Sequence, residues 1–83
     1  MTMTVTIKLF AAIREMIGNE TITLELPEGT TIADARHTLS QRFPQSAGLL
    51  SRSVVARNHD YALDTDVIGA ADELAVIPPV SGG

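Results

Sequence analysis

The chain has 83 residues, enough for one domain that buries roughly 60% of the surface its unfolded form exposes. Apolar residues make up 45% of it and are spread along its whole length, which predicts one modest core in place of a disordered tail. The absence of cysteine excludes disulfides, thiolate metal sites, cysteine nucleophiles and iron–sulfur clusters, and a net charge of −4 with no basic run argues against nucleic acid as a partner.

Val5, Ile7 and Leu9 alternate with Thr4, Thr6 and Lys8, so roughly Met3 to Phe10 is a half-buried strand. The period then changes. Ala11 to Ile17 carries good helix formers with Ile13 and Ile17 four apart, and Gly18-Asn19 ends a short helix or single turn. Thr21 to Leu26 alternates again, stops at Pro27-Glu28-Gly29, and is expected to pair with the first strand. Thr31 is a predicted N-cap with Asp34 three residues on, and Ile32, Ala35, Leu39 and Phe43 then recur at helical spacing up to Pro44.

Gln45 to Ser51 looks like loop, and Gly29 and Gly48 look like lone turn glycines. Arg52 to Asn58 holds the apolar stretch of a third strand, with Asn58-His59-Asp60 as a turn after it. Tyr61-Ala62-Leu63 leads into a polar connection, and a last strand covers about Glu73 to Ile77, ended by Pro78-Pro79. Asp72 and Glu73 are read as capping that strand and keeping that edge polar. The longest apolar runs fall far short of the ~20 residues that span a bilayer, and the first residues lack a charged region leading into an apolar one, so the chain is expected to be cytoplasmic.

This order predicts an α+β roll: a mixed sheet of four to five strands with one main helix across one face, a single domain over 1–83. The first and last strands are densely apolar and are expected to be central, parallel neighbours, which is the β-grasp arrangement. Residues 78–83 form an extended tail, Pro78-Pro79-Val80-Ser81-Gly82-Gly83, able to reach roughly 20 Å from the sheet. No side chain after Val80 can repay the entropy of ordering the diglycine, so that end is expected to be disordered in the isolated chain. Paired glycines make the tip thin, and only the terminal carboxylate of Gly83 is left for chemistry. That anion is a poor electrophile until ATP converts it to an acyl-adenylate, from which a sulfur nucleophile displaces AMP to leave a thiocarboxylate.

Three segments carry a family resemblance: Leu9-Phe10-Ala11-Ala12-Ile13-Arg14-Glu15 with Gly18, Leu26-Pro27-Glu28-Gly29-Thr30-Thr31-Ile32, and Asp72 through Gly83. The chain resembles the small subunits of molybdopterin synthase, a ubiquitin-like sulfur-carrier family. The resemblance implies a β-grasp fold and a chain that is not an enzyme in isolation but the sulfur-donating subunit of a heteromeric sulfurtransferase. It implies adenylation of Gly83 by an E1-like enzyme that uses ATP, sulfur from a donor protein, and no stably bound cofactor. It further implies insertion of the tail into a large catalytic subunit, within a heterotetramer, where sulfur passes to cyclic pyranopterin monophosphate. By position Phe10, Tyr61 and Ile77 match the family's apolar partner surface, and with Val80 they are expected to form one patch on the sheet side away from the main helix. Arg14 matches a contact to the activating enzyme. The chain departs from the family at Arg57-Asn58, where Val-Asn is usual, and at Gly69-Ala70-Ala71-Asp72-Glu73, which reads as a local insertion or shift.

Plainer readings stand beside these. Phe10, Tyr61 and Ile77 are equally readable as core or as single exposed apolar residues, and Arg14 as a solvated surface arginine. His37 and His59 lack a partner at ligand spacing and read as surface histidines, so no metal site is expected. The alternatives to the molybdopterin carrier are a thiamine-pathway sulfur carrier, a ubiquitin-like modifier that passes activated Gly83 to a lysine, and a non-catalytic interaction domain with an inert tail.

Overall fold

A computed structural model describes residues 1–79 of the chain. Strand β1 (Thr2–Leu9) alternates strictly, burying Met3, Val5, Ile7 and Leu9 while Thr2, Thr4 and Lys8 stay exposed. It pairs antiparallel with β2 (Thr21–Pro27), from Thr2 opposite Pro27 to Lys8 opposite Thr21. Between them lies helix α1 (Ala11–Ile17). Ala11 has a φ of 49°, a left-handed conformation that costs an L-residue roughly 1 kcal/mol and turns the chain out of β1 within one residue. Gly18, at φ 88°, ends the helix with its N–H donating to the Arg14 carbonyl at 2.8 Å.

Helix α2 (Ile32–Arg42) starts at the predicted capping box: the Asp34 N–H donates to the Thr31 hydroxyl at 3.3 Å, and the Thr31 N–H to the Asp34 carboxylate at 3.4 Å. Ile32, Ala35 and Leu39 point into the core, where they meet Val5, Ile7, Leu24, Leu74 and Val76. Each of the Val, Leu and Ile side chains contributes about 1.5–3 kcal/mol on full burial.

Residues 45–51, expected as loop, are helical instead: a 3-10 turn at Pro44–Ser46 runs into α3 (Ala47–Arg52). Gly48, expected in a turn, lies inside that helix, where glycine costs about 1 kcal/mol relative to alanine. Tertiary contacts override this local cost. Leu50 is fully buried, and Arg36 reaches across from α2 to donate to the carbonyls of Leu50, at 2.8 Å, and Ser53. The same guanidinium pairs with Asp64 at 3.0 Å, with only 19% of the Arg36 side chain exposed.

Strand β3 (Val54–Arg57) continues through Asn58 and His59 into the two-residue strand β4 (Asp60–Tyr61), a segment expected only as a turn and connection. Asn58 and His59 have φ of 52° and 73°, the paired left-handed conformations of a tight hairpin turn. Strand β5 (Glu73–Ile77) runs parallel to β1 and antiparallel to β3, so the sheet order is β2-β1-β5-β3-β4. The first and last strands are therefore parallel central neighbours, with α2 across one face: a five-stranded, ubiquitin-like β-grasp fold. Glu73 guards no sheet edge, because β5 is interior. Its carboxylate instead pairs with Lys8 at 3.2 Å.

The segment before β5, expected as a local insertion or shift, is a closed turn. The Asp72 N–H donates to the Gly69 carbonyl at 3.0 Å, and the Gly69 N–H to the Asp72 carboxylate at 2.7 Å. Asn58 locks it to the hairpin, donating to Asp72 at 2.8 Å and accepting from the Glu73 N–H at 3.0 Å. The Gly69 and Asn58 donors hold the Asp72 carboxyl below its ordinary value.

Two stability predictions follow from these clasps. Arg36→Met removes a donor from the Ser53 carbonyl and one of two donors from the Leu50 carbonyl, and should cost about 1–3 kcal/mol in urea denaturation, whereas Asp64→Asn, losing an exposed partner, should cost less than about 1 kcal/mol. Because the Asp72 pKa is depressed, its stabilisation is complete above the ordinary value of 3.8 and is lost as pH falls through the lower folded value. The stability gap between the native chain and Asp72→Ala should thus be constant above about pH 5 and narrow progressively below it.

Candidate functional site

The sheet face opposite α2 carries no covering element among the described residues, and alternation decides what stands on it. On β1 and β2 it is mainly threonine, with Thr4 and Thr23 exposed. On β5, β3 and β4 it is apolar apart from Glu73. The strand registers align Lys8, Ala75, Ala56 and Tyr61 in one row, and Ile77 and Val54 in the next. Phe10 follows Leu9 off the end of β1, beside Ile77.

Phe10, Tyr61 and Ile77 thereby line one shallow depression, together with Ala56, Ala75, His59 and Glu73. Ala56 and Ala75 are short enough to form a floor, around which the three larger side chains stand at 43%, 82% and 38% exposure. They are neither core residues nor isolated surface ones. The paired Lys8 and Glu73 border the depression with a compensated charge. Arg14 is not part of it: it lies half-exposed on α1, 3.8 Å from Glu20.

A second groove adjoins the first and shares Phe10 and Ile77 with it. Ala11 and Ala12 form one wall, Leu49 and Arg52 of α3 the other, and Pro78-Pro79 leave the sheet along it. Pro78 is buried and Pro79 exposed. Val80, Ser81, Gly82 and Gly83, the rest of the predicted tail, lie outside the described residues, as does the expectation that their end is disordered.

Sequence reasoning missed Ala56, Ala75, Leu49 and Arg52. The alternation of Leu74 and Val76 with Ala75 could have placed Ala75 on the open face, but the groove depends on α3, which had no clear local signal. Among the described residues no group of three or more His, Asp or Glu side chains could hold a metal ion, and no helix is long and apolar enough to cross a membrane. The side chains lining the two depressions are suited to docking another protein. His59, Glu73 and Arg52 are their polar members.

Relatives agree with this geometry. The chain is 40% identical to a molybdopterin synthase sulfur carrier subunit of Arabidopsis thaliana, over 90% of this chain and 78% of the relative. It is also 40% identical to that of Dictyostelium discoideum, over 93% of each. SAMP1, a small archaeal modifier protein of Haloferax volcanii, has a crystal structure that matches with a TM-score of 0.84 at 31% identity, covering 96% of this chain and 99% of that one. A match to the ThiS family model extends over residues 7–83, through the diglycine end, and the chain belongs to the ThiS family.

Proposed function

We propose that the chain is the sulfur-carrier small subunit of a molybdopterin synthase, with the carboxyl carbon of Gly83 as the reacting atom. The observation that carries this reading is the 40% identity to two molybdopterin synthase sulfur carrier subunits over nine-tenths or more of this chain. The same relatives favour it over a thiamine-pathway carrier. The chain is not an enzyme alone; catalysis belongs to its partners.

The cycle starts when an E1-like enzyme brings ATP to the tail. A Gly83 carboxylate oxygen attacks the α-phosphorus, pyrophosphate leaves, and the carboxylate becomes an acyl-adenylate. Hydrosulfide supplied by a donor protein then forms a C–S bond at the carbonyl carbon, AMP departs with the electron pair of the broken C–O bond, and loss of the S–H proton leaves the thiocarboxylate. ATP is consumed by the activating enzyme and is not held by this chain. The thiocarboxylated tail enters the large catalytic subunit, within a heterotetramer, and donates sulfur to cyclic pyranopterin monophosphate. We place this cycle in the cytoplasm.

The open-face patch of Phe10, Tyr61 and Ile77 supplies docking energy, while the glycines let a backbone of minimal width pass into the partner. A second reading is favoured by the likeness to SAMP1: activated Gly83 passed to a lysine as an isopeptide, which would appear as covalent adducts in cell extract.

Deleting Gly83, or adding one residue beyond it, shifts the reacting carbon by roughly 3.5 Å and should abolish molybdopterin formation, with thermal stability and large-subunit binding nearly unchanged. Gly82→Ala should give intermediate activity, because a Cβ widens the tail without moving the carboxylate. Sulfur transfer at a near-normal rate by the chain lacking Gly83 would replace this reading with that of an inert tail. Phe10→Ala and Tyr61→Ala should each weaken large-subunit binding by about 2 kcal/mol or more in calorimetry, with little change in fold stability.

A further inference from the structure

We infer that the partner which takes up the tail also closes over the groove at the tail's root, and that it presents a carboxylate there to the guanidinium of Arg52. This rests on the carrier reading above. Phe10 and Ile77 line both the open-face patch and this groove, so the two form one continuous surface. Pro78 and Pro79 run along the groove, and only four residues follow them. Fully extended, four residues reach about 14 Å, so a partner whose active centre meets Gly83 must come up to the groove itself.

Among the described residues Arg52 is the one charged residue lining the groove. Its Nε–H donates to the Gly48 carbonyl at 3.3 Å, and among the described residues its two terminal nitrogens have no hydrogen-bond acceptor. Covering a guanidinium in that state would leave a desolvated charge without an acceptor, which is strongly unfavourable, so a partner that seats here supplies an anion. The phosphate of the acyl-adenylate is a poor fit, since an extended tail carries it about 14 Å from the groove. A carboxylate at the mouth of the partner's channel is within reach and matches the planar fork in bidentate geometry. Support of the α3 C-terminus by the positive charge of Arg52 needs no fork, and lysine would supply it equally well.

The test is titration calorimetry of the thiocarboxylate-free chain against the molybdopterin synthase large subunit of the same organism, at two salt concentrations. Arg52→Ala should weaken binding about 5- to 50-fold and flatten its salt dependence, and Arg52→Glu should weaken it more than about 100-fold. Arg52→Lys should fall between native and Arg52→Ala while keeping the native melting temperature, which a role confined to the helix end would not produce. If Arg52→Ala and Arg52→Glu bind within about twofold of the native chain while Phe10→Ala binds weakly, the inference is overturned and the carrier reading stands. If Phe10→Ala also binds like the native chain, the proposed docking surface fails together with the inference.

Discussion

The parallel pairing of β1 with β5 at the centre of the sheet is the contact on which the rest of this structure depends. It sets Thr6 to Leu9 beside Glu73 to Val76, so the opening strand and the closing strand lie side by side. A parallel pair cannot be joined by a tight turn, and the intervening chain must cross over the sheet. Here that crossing includes α2, whose Ile32, Ala35 and Leu39 cover the face carrying Val5, Ile7, Leu74 and Val76. Covering one face leaves the other open, and the pairing fixes where the chain leaves the sheet.

Division of the open face follows from the same pairing. To one side of the central strands it is threonine, hydrated and unsuited to a large apolar contact; to the other it is alanine flanked by Phe10, Tyr61 and Ile77. A short-residue floor with larger side chains around it gives a partner both depth and apolar area, the usual makings of an energetic centre. The Lys8–Glu73 pair stays half-exposed at the border, so it adds little affinity by itself and more to orientation. In the proposed cycle binding and chemistry are separated: the sheet would hold the partner, and the reacting atom would belong to the chain that follows β5.

Local devices at the strand ends keep this surface in place. Ala11 accepts a left-handed backbone so that Phe10 can end β1 on the open face while Ile13, three residues on, enters the core. Asn58 and His59 turn β3 back on itself with Tyr61 opposite Ala56, and the Asn58 side chain then ties that hairpin to the turn leading into β5. The 69–73 segment is closed by this bonding through Asp72 and Asn58 and feeds directly into β5 at the centre of the sheet.

Much of the fold was legible because its signals are local. Alternation marked β1, β2 and β5, the Thr31–Asp34 capping box marked the start of α2, and Pro78-Pro79 marked the end of β5, since each depends on residues within a few positions of one another. Helix α3 was not legible: its Gly and Ser, with Pro44 just before it, read as loop, and its stability comes from burial of Leu50 and from Arg36, fourteen residues earlier on α2. Strand β4 is two residues long, too short to show a period, and exists by pairing with β3. Phe10, Tyr61 and Ile77 could be joined into one patch only through the family resemblance and not from local pattern, because whether an apolar side chain is core or surface depends on which face its strand turns to the helix. The parallel register of β1 and β5 decided that, and with it placed the Arg52 groove at the root of the tail.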